Sequence, residues 1–328
     1  MSLIDNHGRE INYVRLAVTD RCNLRCFYCM PESGIDYLPR RDLLTFEEMT
    51  RLISVLVDSG IRKLRITGGE PFLRKDMMAF LRMLAKSGLD EIHITTNGTL
   101  TYEVIPELKE LGIKSINLSL DTLDRARFKA ITRRDELPTV LRTLDRLLAY
   151  EIPTKINMVV MEGRNDEDII SMAKLAKDRP ITIRYIEEMP FNGDGGGSVE
   201  QLHWTHQRIL GHLKDVFPDL EPLSSPMGST SQRYKIKDFK GKIGIIAAYS
   251  RTFCGSCNRL RVTPQGMLRT CLYAEGIFNI RDMMREGASD EQLHHMIVHA
   301  VGHRAKDGFE AEKLRTKVIS ESMSTIGG

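Results

Sequence analysis

From Tyr13 to Ile186 the apolar residues follow two alternating rhythms. Short runs rich in β-branched residues predict strands at Tyr13–Val18, Lys63–Thr67, Glu91–Thr95, Ser115–Leu120, Thr154–Val160 and Ile181–Ile186. Between them, Thr45–Ser59, Lys75–Ser87, Val104–Leu111, Thr139–Tyr150 and Asn165–Lys177 repeat their apolar positions at helical spacing. Gly60, Gly88 and Gly112 stand where three of these helices should stop, as glycines beyond a helix C-terminus do. Strands alternating with helices predict a parallel sheet with right-handed crossovers. Six such units make an incomplete (β/α)6 barrel, which we assign to residues 1–194.

In a parallel barrel, function gathers where the strands end. The distinctive short motifs fall there: Cys22–Cys29 after the first strand, Gly68-Gly69-Glu70-Pro71 after the second, and Thr95-Thr96-Asn97-Gly98 after the third. Ser119 and Asp121 end the fourth strand, and Met189 follows the sixth. Alone, each has an ordinary reading: the glycines as a turn, Tyr28 and Met189 as packing, Ser119 as a helix cap. Their shared rim sets those readings aside. Beyond Met189 the character changes. Gly193–Gly197 reads as a surface loop, and Ser231–Ile236 with Lys242–Ala247 as a β pair. Residues 195–328 are assigned to a smaller C-terminal module.

Composition narrows the class. The chain has 328 residues, is 41% hydrophobic, and carries 47 basic against 44 acidic residues, a formal charge of +3. That is enough for a large core, and the charge alone points neither to nucleic acid nor to a membrane. No apolar run approaches the ~20 residues of a membrane span. The N-terminal residues lack a basic and apolar leader, so a reducing cytoplasm is expected and thiols should remain reduced.

The six cysteines form two groups of three. Cys22, Cys26 and Cys29 are spaced C-x3-C-x2-C; Cys254, Cys257 and Cys271 are spaced C-x2-C-x13-C. Closed zinc sites need four ligands. Groups of three point instead to two iron–sulfur cubes, each with one iron open to a small molecule. Arg259 and Arg261 adjoin the second group at strand spacing, so both project to one face. Arg15, Lys63, Arg65, Lys155 and Arg184 lie on predicted barrel strands, and several should aim inward. Any one buried arginine is usually paired with a structural carboxylate, but seven cations on one cavity suit a polyphosphate. His295, His299 and His303, at i, i+4 and i+8, read as a polar helix face.

The run Cys22-Asn23-Leu24-Arg25-Cys26-Phe27-Tyr28-Cys29 resembles the radical S-adenosylmethionine (SAM) signature, and Gly68-Gly69-Glu70 resembles that superfamily's GGE motif. The barrel is accordingly expected to be of the radical SAM, TIM-related type. The Cys254–Arg261 segment, the run Arg15–Arg21 and the terminal Ile326-Gly327-Gly328 resemble the GTP 3′,8-cyclase family over essentially the whole chain. The Pro190–Gly197 stretch is richer in glycine than the family pattern.

The resemblance implies two 4Fe-4S clusters and SAM as cofactors, with Cys22, Cys26 and Cys29 holding one cluster and Cys254, Cys257 and Cys271 the other. It places Tyr28, Gly69, Ser119 and Met189 at SAM. It places Arg15, Arg65, Thr96, Lys155, Arg184, Arg259, Leu260 and Arg261 at GTP, with Arg259 and Arg261 as candidates for electrostatic or protonation roles. The activity implied is abstraction of the ribose 3′ hydrogen of GTP by a 5′-deoxyadenosyl radical and closure onto C8, opening molybdenum cofactor biosynthesis. The implied partners are a low-potential electron donor of flavodoxin or ferredoxin type and the next enzyme, cyclic pyranopterin monophosphate synthase; a homodimer is compatible. The diglycine tail would reach the active site. Two alternatives stand: a radical SAM enzyme with one auxiliary cluster acting on a peptide or another small molecule, and a zinc-stabilised nucleic-acid-binding module.

Overall fold

The computed structural model describes residues 2–191, 202–317 and 321–327. The Gly193–Gly197 loop, the boundary at 194/195 and Gly328 lie outside them.

The predicted βα rhythm is present. In chain order run β1 (Tyr13–Ala17), α1 (Phe46–Asp58), β2 (Lys63–Thr67), α2 (Met77–Leu84), β3 (Glu91–Thr96), α3 (Ile105–Glu110), β4 (Ser115–Ser119), α4 (Arg125–Thr132), α5 (Leu137–Ala149), β5 (Thr154–Val160), α6 (Ile169–Asp178) and β6 (Thr182–Glu187). Helix α1 shows why the signals were readable. Thr45 accepts from the Glu48 amide while the Glu48 side chain returns to the Thr45 amide, a reciprocal cap. Gly60, Gly88 and Gly112 follow α1, α2 and α3 with φ of +103°, +80° and +71°, the left-handed stop that glycine tolerates.

The sheet is larger than the six units expected. After α7 (His206–Val216) come β7 (Glu221–Leu223), β8 (Gln232–Lys235), β9 (Lys242–Ile246), β10 (Arg259–Val262), β11 (Met267–Arg269) and β12 (Phe278–Asn279), then α8 (Ile280–Arg285), α9 (Asp290–Gly302), α10 (Gly308–Lys313) and α11 (Met323–Ile326). The expected β8–β9 pair forms, antiparallel, but β9 also pairs parallel with β6. At the other edge β10 pairs parallel with β1, Tyr13 opposite Arg259 and Arg15 opposite Arg261. Among the described residues one twelve-stranded sheet results, in the order β12-β11-β10-β1-β2-β3-β4-β5-β6-β9-β8-β7, with no pairing between its two edges. The later segment therefore completes the barrel wall at both edges instead of forming a sheet of its own.

Strand alternation divides the wall chemically. The outer face carries Val14, Leu16, Leu64, Ile66, Ile94, Ile156, Met158, Ile183 and Tyr185, all essentially buried under the helices. Each such side chain contributes about 1.5–3 kcal/mol by burial. The inner face carries Arg15, Arg65, Asn117, Lys155, Asn157, Arg184 and Arg261, related by register. An apolar outside fixes the wall; the polar inside is left for a ligand.

Candidate functional site: a basic cavity between two cysteine triads

The first triad sits on the loop leaving β1, held by the turn after β2. The Gly69 amide donates to Thr19 O and the Glu70 amide to Arg21 O, each at 2.8 Å. A Cβ on Gly68, whose φ is +149°, would stand 2.5 Å from Thr19 O, and one on Gly69 would stand 2.2 Å from Arg21 O. The glycines are thus demanded first by the cysteine loop's own backbone.

Glu70 fastens this turn to the next. Its buried carboxylate accepts from the Asn97 amide at 2.7 Å, the Phe72 amide at 3.1 Å and the Thr96 hydroxyl at 2.9 Å. Burial pushes its pKa up to about 7, against those hydrogen bonds. Asn97 Nδ2 donates to Cys22 Sγ at 3.7 Å and to Asn23 Oδ1 at 2.9 Å. Tyr28 donates to Asp121 Oδ2 at 2.8 Å, and Asp121 Oδ1 accepts from the Val159 amide at 2.9 Å. The cysteine loop is therefore tied to the ends of β2, β3, β4 and β5.

The second triad lies at the other end of the barrel. Cys257 comes two residues before Arg259, which is level with the start of β1, whereas Cys22 comes after the end of β1. The motifs read from the sequence as sharing a rim stand at the first triad's end, and the second triad stands opposite them. Arg259 Nη1 donates to Cys257 Sγ at 3.8 Å, and Arg304 Nη2 donates to the same sulfur at 3.6 Å. Burial raises the Cys257 thiol, but these guanidinium groups hold it below its ordinary value. Cys254 is pushed up to about 11 by burial.

A cavity of about 300 Å³ joins the two ends. All six cysteines line it, as do Arg15, Tyr28, Gly69, Thr96, Ser119, Arg184, Met189, Arg259 and Arg261. The Thr96 hydroxyl is already engaged by Glu70. Arg65 and Lys155 sit in the same wall but not on the cavity surface: Arg65 Nε donates to the Tyr13 hydroxyl at 2.7 Å. Leu260 departs from the expectation. It is fully buried in the outer core beside Val14, because strand alternation turns it away from Arg259 and Arg261.

Among the described lining residues, five arginines face one carboxylic acid, Asp121. Burial, then its neighbours led by Arg261, lowers Arg15 well below its ordinary value. Burial also brings Arg261 to about 10, Arg184 to about 9 and Lys155 to about 8, with neighbouring cations adding in each case. Arg184 Nε and Nη2, Asn117 Oδ1, Asn157 Oδ1 and Thr95 Oγ1 are buried with no hydrogen-bond partner among the described residues. Such groups are costly unless a ligand satisfies them, and the concentration of positive charge calls for an anion.

The triads fit iron–sulfur clusters. All six cysteines are free thiols. Burial pushes Cys22 up to about 12 and raises Cys26 and Cys29, so only a strongly cationic, soft centre would hold them as thiolates. Among the described residues no group of His, Cys, Asp or Glu is set close enough for a single metal ion. A four-iron cube spreads its thiolates wider than one ion does.

The tail also meets the cavity. Met323 and Ser324 line it, and Arg261 Nη1 donates to Gly327 O at 2.8 Å. Arg304 and Tyr13 were not singled out from the sequence. Tyr13 lies among Arg65, Arg15 and Arg259, whose charges outweigh burial and lower it to about 7. Its position opening a strand gave no signal beyond packing. His295, His299 and His303 are exposed, with His303 Nδ1 2.8 Å from His299 O.

Comparison with known proteins identifies the architecture. Residues 16–176 match the Radical SAM superfamily, and residues 181–309 match Molybdenum Cofactor Synthesis C. A GTP 3′,8-cyclase of Desulforamulus reducens is 40% identical over 99% of this chain and 100% of its own length. The chain belongs to the GTP 3′,8-cyclase family. The likeness extends to an animal protein: molybdenum cofactor biosynthesis protein 1 of Bos taurus is 39% identical over 93% of this chain, which spans 48% of that longer protein. Among solved structures, Streptococcus suis SuiB superposes with a TM-score of 0.63 at 14% identity, covering 95% of this chain and 70% of SuiB. Native anSMEcpe with bound AdoMet does so at 0.59 and 16%, covering 93% and 84%. At those identities they share the fold. Among the described residues, no helix is long and apolar enough to cross a membrane.

Proposed function

We propose that the chain is a radical SAM GTP 3′,8-cyclase, converting GTP to 3′,8-cyclo-7,8-dihydro-GTP as the first step of molybdenum cofactor biosynthesis. One observation carries this reading: a single cavity is bounded by two cysteine triads and walled by arginines in large excess over acids. A peptide-modifying radical enzyme needs the first triad but has no use for so cationic a wall.

When bound, two 4Fe-4S clusters and SAM supply a 5′-deoxyadenosyl radical at one end and an open iron for the guanine at the other. The protein's part is placement. Tyr28, Gly69, Ser119 and Met189 take the SAM end. Arg15, Arg184, Arg259 and Arg261 hold the triphosphate, with Arg65 and Lys155 adding charge from the wall, so that binding energy from the phosphates fixes the ribose. Arg259 and Arg261 also stabilise charge beside the base. Arg261 links the substrate wall to the tail through Gly327, and Leu260 serves through its strand backbone.

The rest of the reading is a flavodoxin- or ferredoxin-type electron donor, hand-over to cyclic pyranopterin monophosphate synthase, a homodimer and a cytoplasmic setting. It rests on family likeness and on the reduced-thiol chemistry. The test is an anaerobic single turnover with SAM, a strong reductant and GTP deuterated at C3′. Deuterium in 5′-deoxyadenosine together with a cyclised nucleotide is expected. Reductive SAM cleavage without deuterium transfer overturns the substrate assignment.

A further inference from the structure

Outside the substrate cavity, one buried ionic network converges on the second cysteine triad. Asp5, whose side chain is fully buried, accepts from Arg9 Nε at 2.6 Å and from Arg304 Nη1 at 3.3 Å. Arg9 Nη1 donates to Cys254 O at 3.1 Å. Arg304, 4% exposed, donates from Nη1 to Cys257 O at 3.2 Å. Its Nη2 donates to Cys257 Sγ at 3.6 Å and to Thr270 O, next to Cys271, at 3.0 Å. All three cysteine-bearing segments are thus tied to a pair of arginines neutralised in part by one aspartate.

Among the described residues two arginines approach the Cys257 sulfur, and they differ. Arg259 comes from the cavity side and lines the substrate space. Arg304 comes from behind, does not line the cavity, and is fixed by backbone acceptors and Asp5. Its charge is therefore present whether or not a substrate is bound. Net charge near a cluster and hydrogen bonds to its sulfurs set its reduction potential, and partners of the ligands tune it.

We propose that Arg304 is a positioning residue that raises the reduction potential of the second cluster through Cys257, with Asp5 limiting how much of that charge the cluster feels. This rests on the reading that Cys254, Cys257 and Cys271 hold a 4Fe-4S cube. A cube gaining one electron becomes more negative, so a nearby cation favours the reduced form. Removing the cation must lower the potential, and removing Asp5 must raise it. A purely structural clamp would not give shifts of opposite sign.

The experiment is an anaerobic, EPR-monitored dithionite titration of the reconstituted full chain, with SAM added to mark the first cluster's signal. Wild type, Arg304→Gln and Asp5→Asn are compared at matched iron content. Arg304→Gln is expected to cut the reduced-to-oxidised ratio of the second cluster about tenfold at fixed potential, equivalent to about 59 mV for one electron. Asp5→Asn is expected to raise that ratio, and the first cluster should not move in either variant. Unchanged second-cluster potentials, or shifts of the same sign, overturn the proposal. If Arg304→Gln loses the second cluster, Asp5→Asn decides alone: a rise upholds the proposal, and no shift or a fall overturns it. Wild-type protein that binds only the first cluster would instead refute the two-cluster reading itself.

Discussion

Arg184 tests whether the cavity is built for an anion at the expense of the empty protein. It lies on β6 opposite Asn157 and Gly244, with Nε and Nη2 buried and lacking hydrogen-bond partners among the described residues. Burial, reinforced by Arg65, lowers its pKa from 12.5 to about 9. Discounted for solvent screening in an open cavity, that difference penalises the charged form by about 2 kcal/mol. Arg184→Met keeps the bulk of the side chain and removes the charge. Without GTP, the variant should be more stable by about 2 kcal/mol, which for a chain this long raises the melting temperature by roughly 4 °C. GTP stabilises the wild type by mass action, and the variant should lose most of that added shift. Anaerobic thermal unfolding of reconstituted protein, with and without GTP, reads both. A variant that melts below the wild type without GTP, or that keeps the full GTP shift, refutes the reasoning.

Three further outcomes follow from the same geometry. Gly69→Ala puts a Cβ 2.2 Å from Arg21 O, so the first triad's loop must move, and iron content should fall by about half while the second cluster stays; full iron loading would contradict this. Lys155, lowered to about 8 by burial and then by Arg184, Arg65 and Lys63, regains its proton preference beside a triphosphate. GTP affinity should therefore fall about fivefold from pH 8 to 9, and Lys155→Met should bind more weakly and fall less over that unit; equilibrium dialysis that finds the same fall in both proteins would remove Lys155 from the site. Burial raises Asp121 from 3.8 to about 6. The native state thus holds a proton that the unfolded state releases, and this contribution to stability declines as pH rises from about 4 to 6. Asp121→Asn should gain on the wild type across that window in anaerobic urea unfolding, and a constant difference would count against the shift.

Most of the barrel was legible because each local signal agreed with the global fold. β2 and β5 lie where their β-branched runs placed them, and α1 runs between its cap and Gly60. What was missed had no local signature. α4 is a short run, Arg-Ala-Arg-Phe-Lys-Ala-Ile-Thr, burying only Phe128, Ile131 and Thr132, so its apolar stripe is thin. The strand spacing of Arg259 and Arg261 was visible, but the pairing of β10 with β1, about three quarters of the chain away, was not. Pairing at that separation leaves no mark in periodicity. The same reason hid Arg304, which meets Cys257 only because α9 and the N-terminal segment pack behind the second triad. The cysteines and inward arginines were readable as chemistry; Leu260, between them, turns its side chain outward by strand alternation and keeps only its backbone on the inner wall.

The β1–β10 pair also decides where chemistry can occur. The strands are parallel, yet one cysteine triad follows β1 and the other begins before β10, so the triads must face each other along the barrel axis. β1 alone advances four residue steps, about 13 Å at strand rise. Along this depth the cations are distributed. Arg259 is level with Tyr13, Arg15 with Arg65 and Arg261, and Lys155 and Arg184 follow on later strands in register. A small compact anion would meet only some of them. An elongated molecule carrying several negative charges, with a base at one end, would meet most, leaving the ribose between the two triads. Barrel depth, cation spacing and the opposed triads therefore all favour a nucleoside triphosphate over a peptide as the molecule this wall was built to hold.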